Sequence, residues 1–113
     1  MKTEFLQRLT GLFLALVFSA AALAEDIVWI DVRTPTEFNE AHVAGAVNIP
    51  FDEIETGVVA LGLETDQPIY LYCGSGRRAG IARESLQSVG YTEVVNVGGL
   101  EQALELAGEP AAN

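Results

Sequence analysis

"QPIYLYCGSGRRAGIARESLQSVG", Gln67–Gly90, is the stretch that decides the fold. The apolar run Ile69–Tyr72 follows a turn-rich segment and predicts a buried strand that delivers Cys73 at its carboxyl end. From Ala79 to Val89 the spacing of Ile81, Leu86 and Val89, with Ala82, predicts a helix, and Gly90 stands where a helix-ending glycine belongs. Strand, short glycine-containing loop and helix in direct succession are the building unit of a parallel α/β sheet.

The same alternation continues on both sides. Upstream, Ile27–Ile30 is a short apolar run ending in Asp31, and "TPTEF" opens a helix, with Thr34 as its N-cap, Pro35 at the first helical position and Glu37 closing a capping box. That helix is expected to reach about Glu40. "HVAGAVNIP" (His42–Pro50) turns at Gly45 and forms a brief strand over Ala46–Ile49. Phe51–Leu63 carries Ile54, Val58, Val59 and Leu61 at roughly helical spacing, weakened by Gly57 and Gly62. Downstream, "YTEVVNV" predicts a strand over Val94–Val97, Gly98–Gly99 a turn, Leu100–Leu106 a helix, and Gly108–Asn113 a frayed tail. The fold class is therefore α/β, a small, mainly parallel sheet with helices on both faces. Sites in such sheets form beyond the carboxyl ends of the strands, where Cys73 lies.

The 113 residues suffice for one domain and not for two. Residues 1–24 read as a secretory signal peptide: Lys2 and Arg8 form a basic start, Leu12–Leu23 is apolar, and Ala22-Leu23-Ala24 fits a small-x-small cleavage site. The stretch is too short for a membrane span, which needs about 20 apolar residues. The mature domain is then 25–113, the expected address is the periplasm, and no stable membrane insertion is expected after cleavage. The whole chain has a formal net charge of −10, and beyond Ala24 its only cations are Arg33, Arg77, Arg78 and Arg83. So acidic a surface excludes nucleic acid as a partner, whereas a small anion can still meet a local cationic pocket, because distant charges are screened over roughly 8–10 Å. Cys73 is the single cysteine. In an oxidising compartment an unpaired thiol is a liability unless it is buried or used.

The loop after Cys73 suits use. Gly74 and Gly76 can take positive φ, so that successive N–H groups converge on one centre, and the following helix adds its own unsatisfied amides and positive dipole end. A thiol at that focus ionises more readily than a free one, and the thiolate is the nucleophile. No separate base is needed. Four residues separate Cys73 from Arg78, one fewer than in cysteine loops that cleave phosphate esters; the smaller ring suits one extra sulfur on the cysteine, a persulfide.

Four motifs in order, "DVRTPTEF" (Asp31–Phe38), "HVAGAVNIP", "YCGSGRRA" (Tyr72–Ala79) and "GYTEVVNVGGL" (Gly90–Leu100), resemble those of single-domain rhodaneses over roughly Ile27–Leu106. The resemblance implies a thiosulfate sulfurtransferase in which Cys73 is the catalytic nucleophile and carries the sulfur as a covalent persulfide. It implies no metal and no other cofactor. Arg78 and Arg77, with the amides of Gly74, Ser75 and Gly76, would bind the anionic donor thiosulfate and the persulfide; the acceptor would be cyanide, a thiol or a protein. Asp31, Arg33 and His42 fall in scaffold roles, Gly98 and Gly99 let the last turn pass close to the active loop, Asn96 could tie that turn down, and Trp29 belongs to the core or a sheet edge. Gly74 departs from relatives that carry a side chain there, so acceptor preference does not transfer. A persulfide or redox relay loaded by a protein partner is the alternative function. Phosphatase or arsenate reductase chemistry is disfavoured by the short loop, and a purely binding role by the presence of the nucleophile.

Overall fold

The structure, a computed structural model, describes residues 26–113; the expected leader over 1–24 and its expected cleavage site lie outside them. From there the chain runs β1 (Val28–Asp31), α1 (Pro35–Glu40), β2 (Val47–Asn48), a 3-10 turn (Phe51–Glu53), α2 (Ile54–Ala60), β3 (Ile69–Cys73), α3 (Arg77–Ser88), β4 (Val94–Gly99) and α4 (Leu100–Ala107). All four strands are parallel, in the order β2-β1-β3-β4. No described helix is long and apolar enough to cross a membrane.

Side-chain alternation along the strands sorts the core into two layers. Ile30, Ile69, Leu71, Cys73 and Val94 face Ile54 and Val58 of α2 and Ala79, Ala82 and Leu86 of α3. Tyr72, with Trp29 and Val97 beside it, faces Val43 and Ala103 on the opposite side, where α4 packs. Leu71 and Leu86 are fully buried, which stabilises the fold by about 1.5–3 kcal/mol for each such side chain. Trp29 packs edge-on against Tyr70, ring centroids 5.2 Å apart.

Helix α1 starts as the capping box requires: Glu37 N–H donates to Thr34 Oγ1 and Thr34 N–H to Glu37 Oε1, both at 3.2 Å. Elsewhere the structure corrects the expectations. Helix α3 begins at Arg77 rather than Ala79, and its buried face is Ala79, Ala82 and Leu86, while Ile81 and Val89 are exposed. Two alanines in that face let the helix approach the sheet closely. It ends in the expected manner, with Gly90 N–H on Gln87 O and Tyr91 N–H on Leu86 O. Val59 and Leu61 likewise point to solvent, because α2 is only seven residues long and buries the Ile54–Val58 stripe alone.

Gly98 and Gly99 belong to β4 rather than to a turn. The pairing of β3 with β4 slips between Leu71↔Asn96 and Tyr72↔Gly98, so Val97 is an extra, bulged residue and Gly99 pairs with Cys73. The tail is not frayed: Ala112 and His42 exchange backbone hydrogen bonds of 2.8 Å in both directions.

Candidate active site

Cys73 is the last residue of β3, and only Gly74–Gly76 separate it from α3. Gly76 is the N-cap residue of that helix, at φ +96°, a left-handed conformation that glycine adopts without steric cost. It has no side chain to accept from the first helical amides, and Cys73 Sγ takes that place. The sulfur accepts from Gly76 N–H at 2.9 Å. Burial pushes the Cys73 thiol up, but the amides of Ala79, Ser75, Gly76 and Arg78 act against it and leave the group below its ordinary value. Amides at the second and third helical positions, which have no partner within a helix, are thus aimed at sulfur.

The ring differs from expectation in one respect: Gly74 does not take positive φ. Ala79 adds the amide expected of the helix start. Cys73 itself is closed off, with none of its surface exposed, although a nucleophile must meet its substrate.

The floor of the loop is β4. A Cβ on Gly99 would collide with the Gly74 carbonyl oxygen, and one on Gly76 would lie 3.2 Å from Gly98 Cα. Asn96 joins the two segments, donating from Nδ2 to Gly76 O at 2.9 Å and accepting from Gly98 N–H at 3.0 Å. The bulge at Val97 puts these residues together.

Of the two arginines, Arg77 is exposed, as is Ser75 in the loop, and Arg77 forms no ion pair among the described residues. Arg78 turns back along the loop, its Nη2 3.4 Å from where a Cβ on Gly74 would stand, and grips Glu37 with both nitrogens, Nη1–Oε1 at 2.8 Å and Nη2–Oε2 at 3.1 Å. Hydrogen bonding from Arg78 pulls the Glu37 carboxyl down to about 2, against the cost of its burial. Sequence reasoning gave Glu37 only its capping role. The available signal was topological: β1 and β3 are neighbours, so the elements after their carboxyl ends, α1 and the Cys73 loop, must meet.

Asp31, Arg33 and His42 do not enter the ring. Arg33 Nη2 donates to Asp31 Oδ2 at 2.6 Å and to Ala41 O at 2.6 Å, and its guanidinium lies 5.7 Å from the centre of the Tyr72 ring. The Tyr72 hydroxyl in turn accepts from Val43 N–H at 3.0 Å. His42 Nδ1 lies 2.7 Å from Phe38 O, with its ring stacked on Phe38 at 3.8 Å. These contacts brace the segments around α1.

The chain that sets a cysteine sulfur at a helix start, under a ring of amides at the end of an inner strand of a four-stranded parallel sheet, has a match among known families: residues 18–105 match the rhodanese-like domain family. The chain belongs to this family. This rhodanese-like domain is 42% identical to the thiosulfate sulfurtransferase PspE of Escherichia coli over 90 residues, 80% of this chain and 86% of that one. It is 38% identical over 73 residues to a putative sulfur carrier protein, YrkF, of Bacillus subtilis, spanning 65% of this chain and 38% of that one. A solved structure described as a rhodanese with anions from E. coli superposes with a TM-score of 0.63 at 41% identity, covering 68% of this chain and 91% of that one. A rhodanese-like domain from Anabaena superposes with a TM-score of 0.67 at 27% identity, covering 78% and 100%.

Proposed function

We propose that this sulfurtransferase takes the outer sulfur of thiosulfate onto Cys73 and passes it to cyanide or a thiol. The observation that carries the proposal is the ring of amides on Cys73 Sγ. The thiolate attacks the outer sulfur of thiosulfate, a Cys73–sulfur bond forms, the bond to the sulfonate sulfur breaks, and sulfite leaves with the electron pair. The outer sulfur of the persulfide is then anionic, and the amides that served the thiolate serve it in turn. In the second half-reaction the acceptor attacks that outer sulfur and the Cys73 thiolate is regenerated, so that ping-pong kinetics follow. Arg78 binds the sulfonate end and stabilises the departing sulfite, with exposed Arg77 adding attraction at the mouth. Support for an anionic donor also comes from the E. coli relatives, one named a thiosulfate sulfurtransferase and one described as solved with anions. Export to the periplasm after cleavage at Ala24 belongs to the same proposal and is tested by N-terminal sequencing of the exported protein.

Intact mass after incubation with thiosulfate tests the chemistry. The expected result is a gain of one sulfur atom, lost on adding cyanide and absent in Cys73→Ala. Arg78→Ala is expected to raise KM for thiosulfate; unaltered kinetics in that variant would remove Arg78 from donor binding. A relay loaded by a protein partner is the second reading, favoured by the likeness to the putative sulfur carrier. Sulfur uptake from a donor protein and none from thiosulfate selects the relay.

A further inference from the structure

Donor binding at Arg78, on which this inference rests, meets an obstacle in the resting protein: both guanidinium nitrogens that would hold a sulfonate already hold Glu37. The obstacle coincides with another, the complete burial of the nucleophile. Arg78 stands at the start of α3 and reaches across Gly74, the residue after Cys73, to α1. It therefore links the two sides of the mouth. Glu37 is itself held, since its Oε1 also accepts from Thr34 N–H and Thr34 Oγ1 at 3.2 and 3.1 Å. The carboxylate is anchored to α1 whichever partner Arg78 takes.

We propose that Glu37 is a positioning residue that latches Arg78 across the mouth of the Cys73 loop and surrenders it only to an oxyanion with two oxygens to offer, so that the donor opens the site by replacing Glu37. A carboxylate and a sulfonate both present paired oxygens to the guanidinium fork, which makes the exchange geometrically even. The latch also selects. In the sulfur-free protein a neutral molecule, or an anion with a single acceptor atom, cannot take both nitrogens and leaves the loop shut; the acceptor of the second half-reaction meets a loop that the donor has already opened. Side-chain exposures of 30% and 36% for Arg78 and Glu37 keep the pair in partial contact with water and hence exchangeable. The low Glu37 pKa keeps the competing carboxylate charged at all ordinary pH values.

The experiment follows alkylation of Cys73 by iodoacetamide, which is neutral and cannot bind Arg78 as an anion does, as a function of pH. The plateau rate at high pH reports access to the thiolate, and the midpoint reports its ionisation. Glu37→Gln is expected to raise the plateau about fivefold, the factor that about 1 kcal/mol from a partly exposed ion pair provides. It should also lower KM for thiosulfate with kcat little changed, and Glu37→Asp should return both towards the wild-type values. Arg78→Gln should raise the plateau as well, and the double variant no further than either single one. A Glu37→Gln plateau equal to or below wild type overturns the latch. So do additive effects in the double variant. Because alkylation needs no thiosulfate, failure of the donor assignment shows separately, as fast alkylation of Glu37→Gln, which keeps Arg78, with no thiosulfate turnover by that variant or by the wild type. Should Glu37→Gln fold poorly, the Arg78→Gln plateau alone decides, rising if the latch is real and staying flat if it is not.

Discussion

At Cys73 burial and hydrogen bonding oppose one another, and hydrogen bonding wins. The folded protein therefore releases the thiol proton at a pH where the unfolded chain still holds it, and stability rises with pH through that interval. Sulfur uptake should climb through the same midpoint, and an alkylation profile should place it below that of a free thiol; a midpoint at or above the free value would contradict the ring of amides. Gly76→Ala forces a side chain into φ +96° beside Gly98 Cα. The expected cost is about 1–3 kcal/mol in urea unfolding, with the alkylation midpoint moved upward because the amides lose their aim. The setting of Cys73, at a strand end under the amides of the next loop, was legible because its neighbours in sequence are also its neighbours in space. The surroundings of Arg78 were half legible: its place beside the loop follows from the sequence, but its partner Glu37 lies 41 positions away. That pair exists through strand order, which local spacing does not encode.

The end of β1 and the link from it to α1 hold a buried ion pair, Asp31 with Arg33. Asp31→Ala leaves a guanidinium only 7% exposed without its carboxylate, and the expected loss is about 3–5 kcal/mol, read as a lowered urea midpoint. Gly99→Ala should destabilise the chain by about 1–3 kcal/mol through the clash with the Gly74 carbonyl, and should also slow sulfur uptake, since the displaced segment is the active loop. Alternation of strands and helices was legible throughout, because continuous apolar strands and the Thr34–Glu37 capping box are written in adjacent residues. The bulge at Val97 was not. Paired glycines look like a turn when read alone, and only pairing with Tyr72 and Cys73 makes them a strand end. Ile81 and Val89 misled for a related reason: Ala79 and Ala82 take the contact face of α3 together with Leu86, and Ile81 and Val89 are left outside.

For the molecule as a whole, acid stability is bound up with the Glu37 pair. Its carboxyl titrates near 4.5 when unperturbed and near 2 in the folded state, so its contribution is complete above about pH 4.5 and is lost as pH falls towards 2. Being partly exposed, the pair contributes at most about 1 kcal/mol, and Glu37→Gln should remove that much of the slope of stability against pH in this window. Deleting Pro110–Asn113 breaks the two backbone bonds with His42, an expected loss of about 1–2 kcal/mol that leaves alkylation of Cys73 unaltered. Polar and small residues in that tail carry no sequence signal for docking; the ladder to His42 is made by backbone alone. The concealment of Cys73 has one more consequence, for handling the protein. Two copies can be bridged only if their sulfurs meet at about 2 Å, and a sulfur roofed by its own loop cannot meet another. Air-exposed samples should run as single chains on non-reducing gels, and covalent dimers should form only when the roof is lifted.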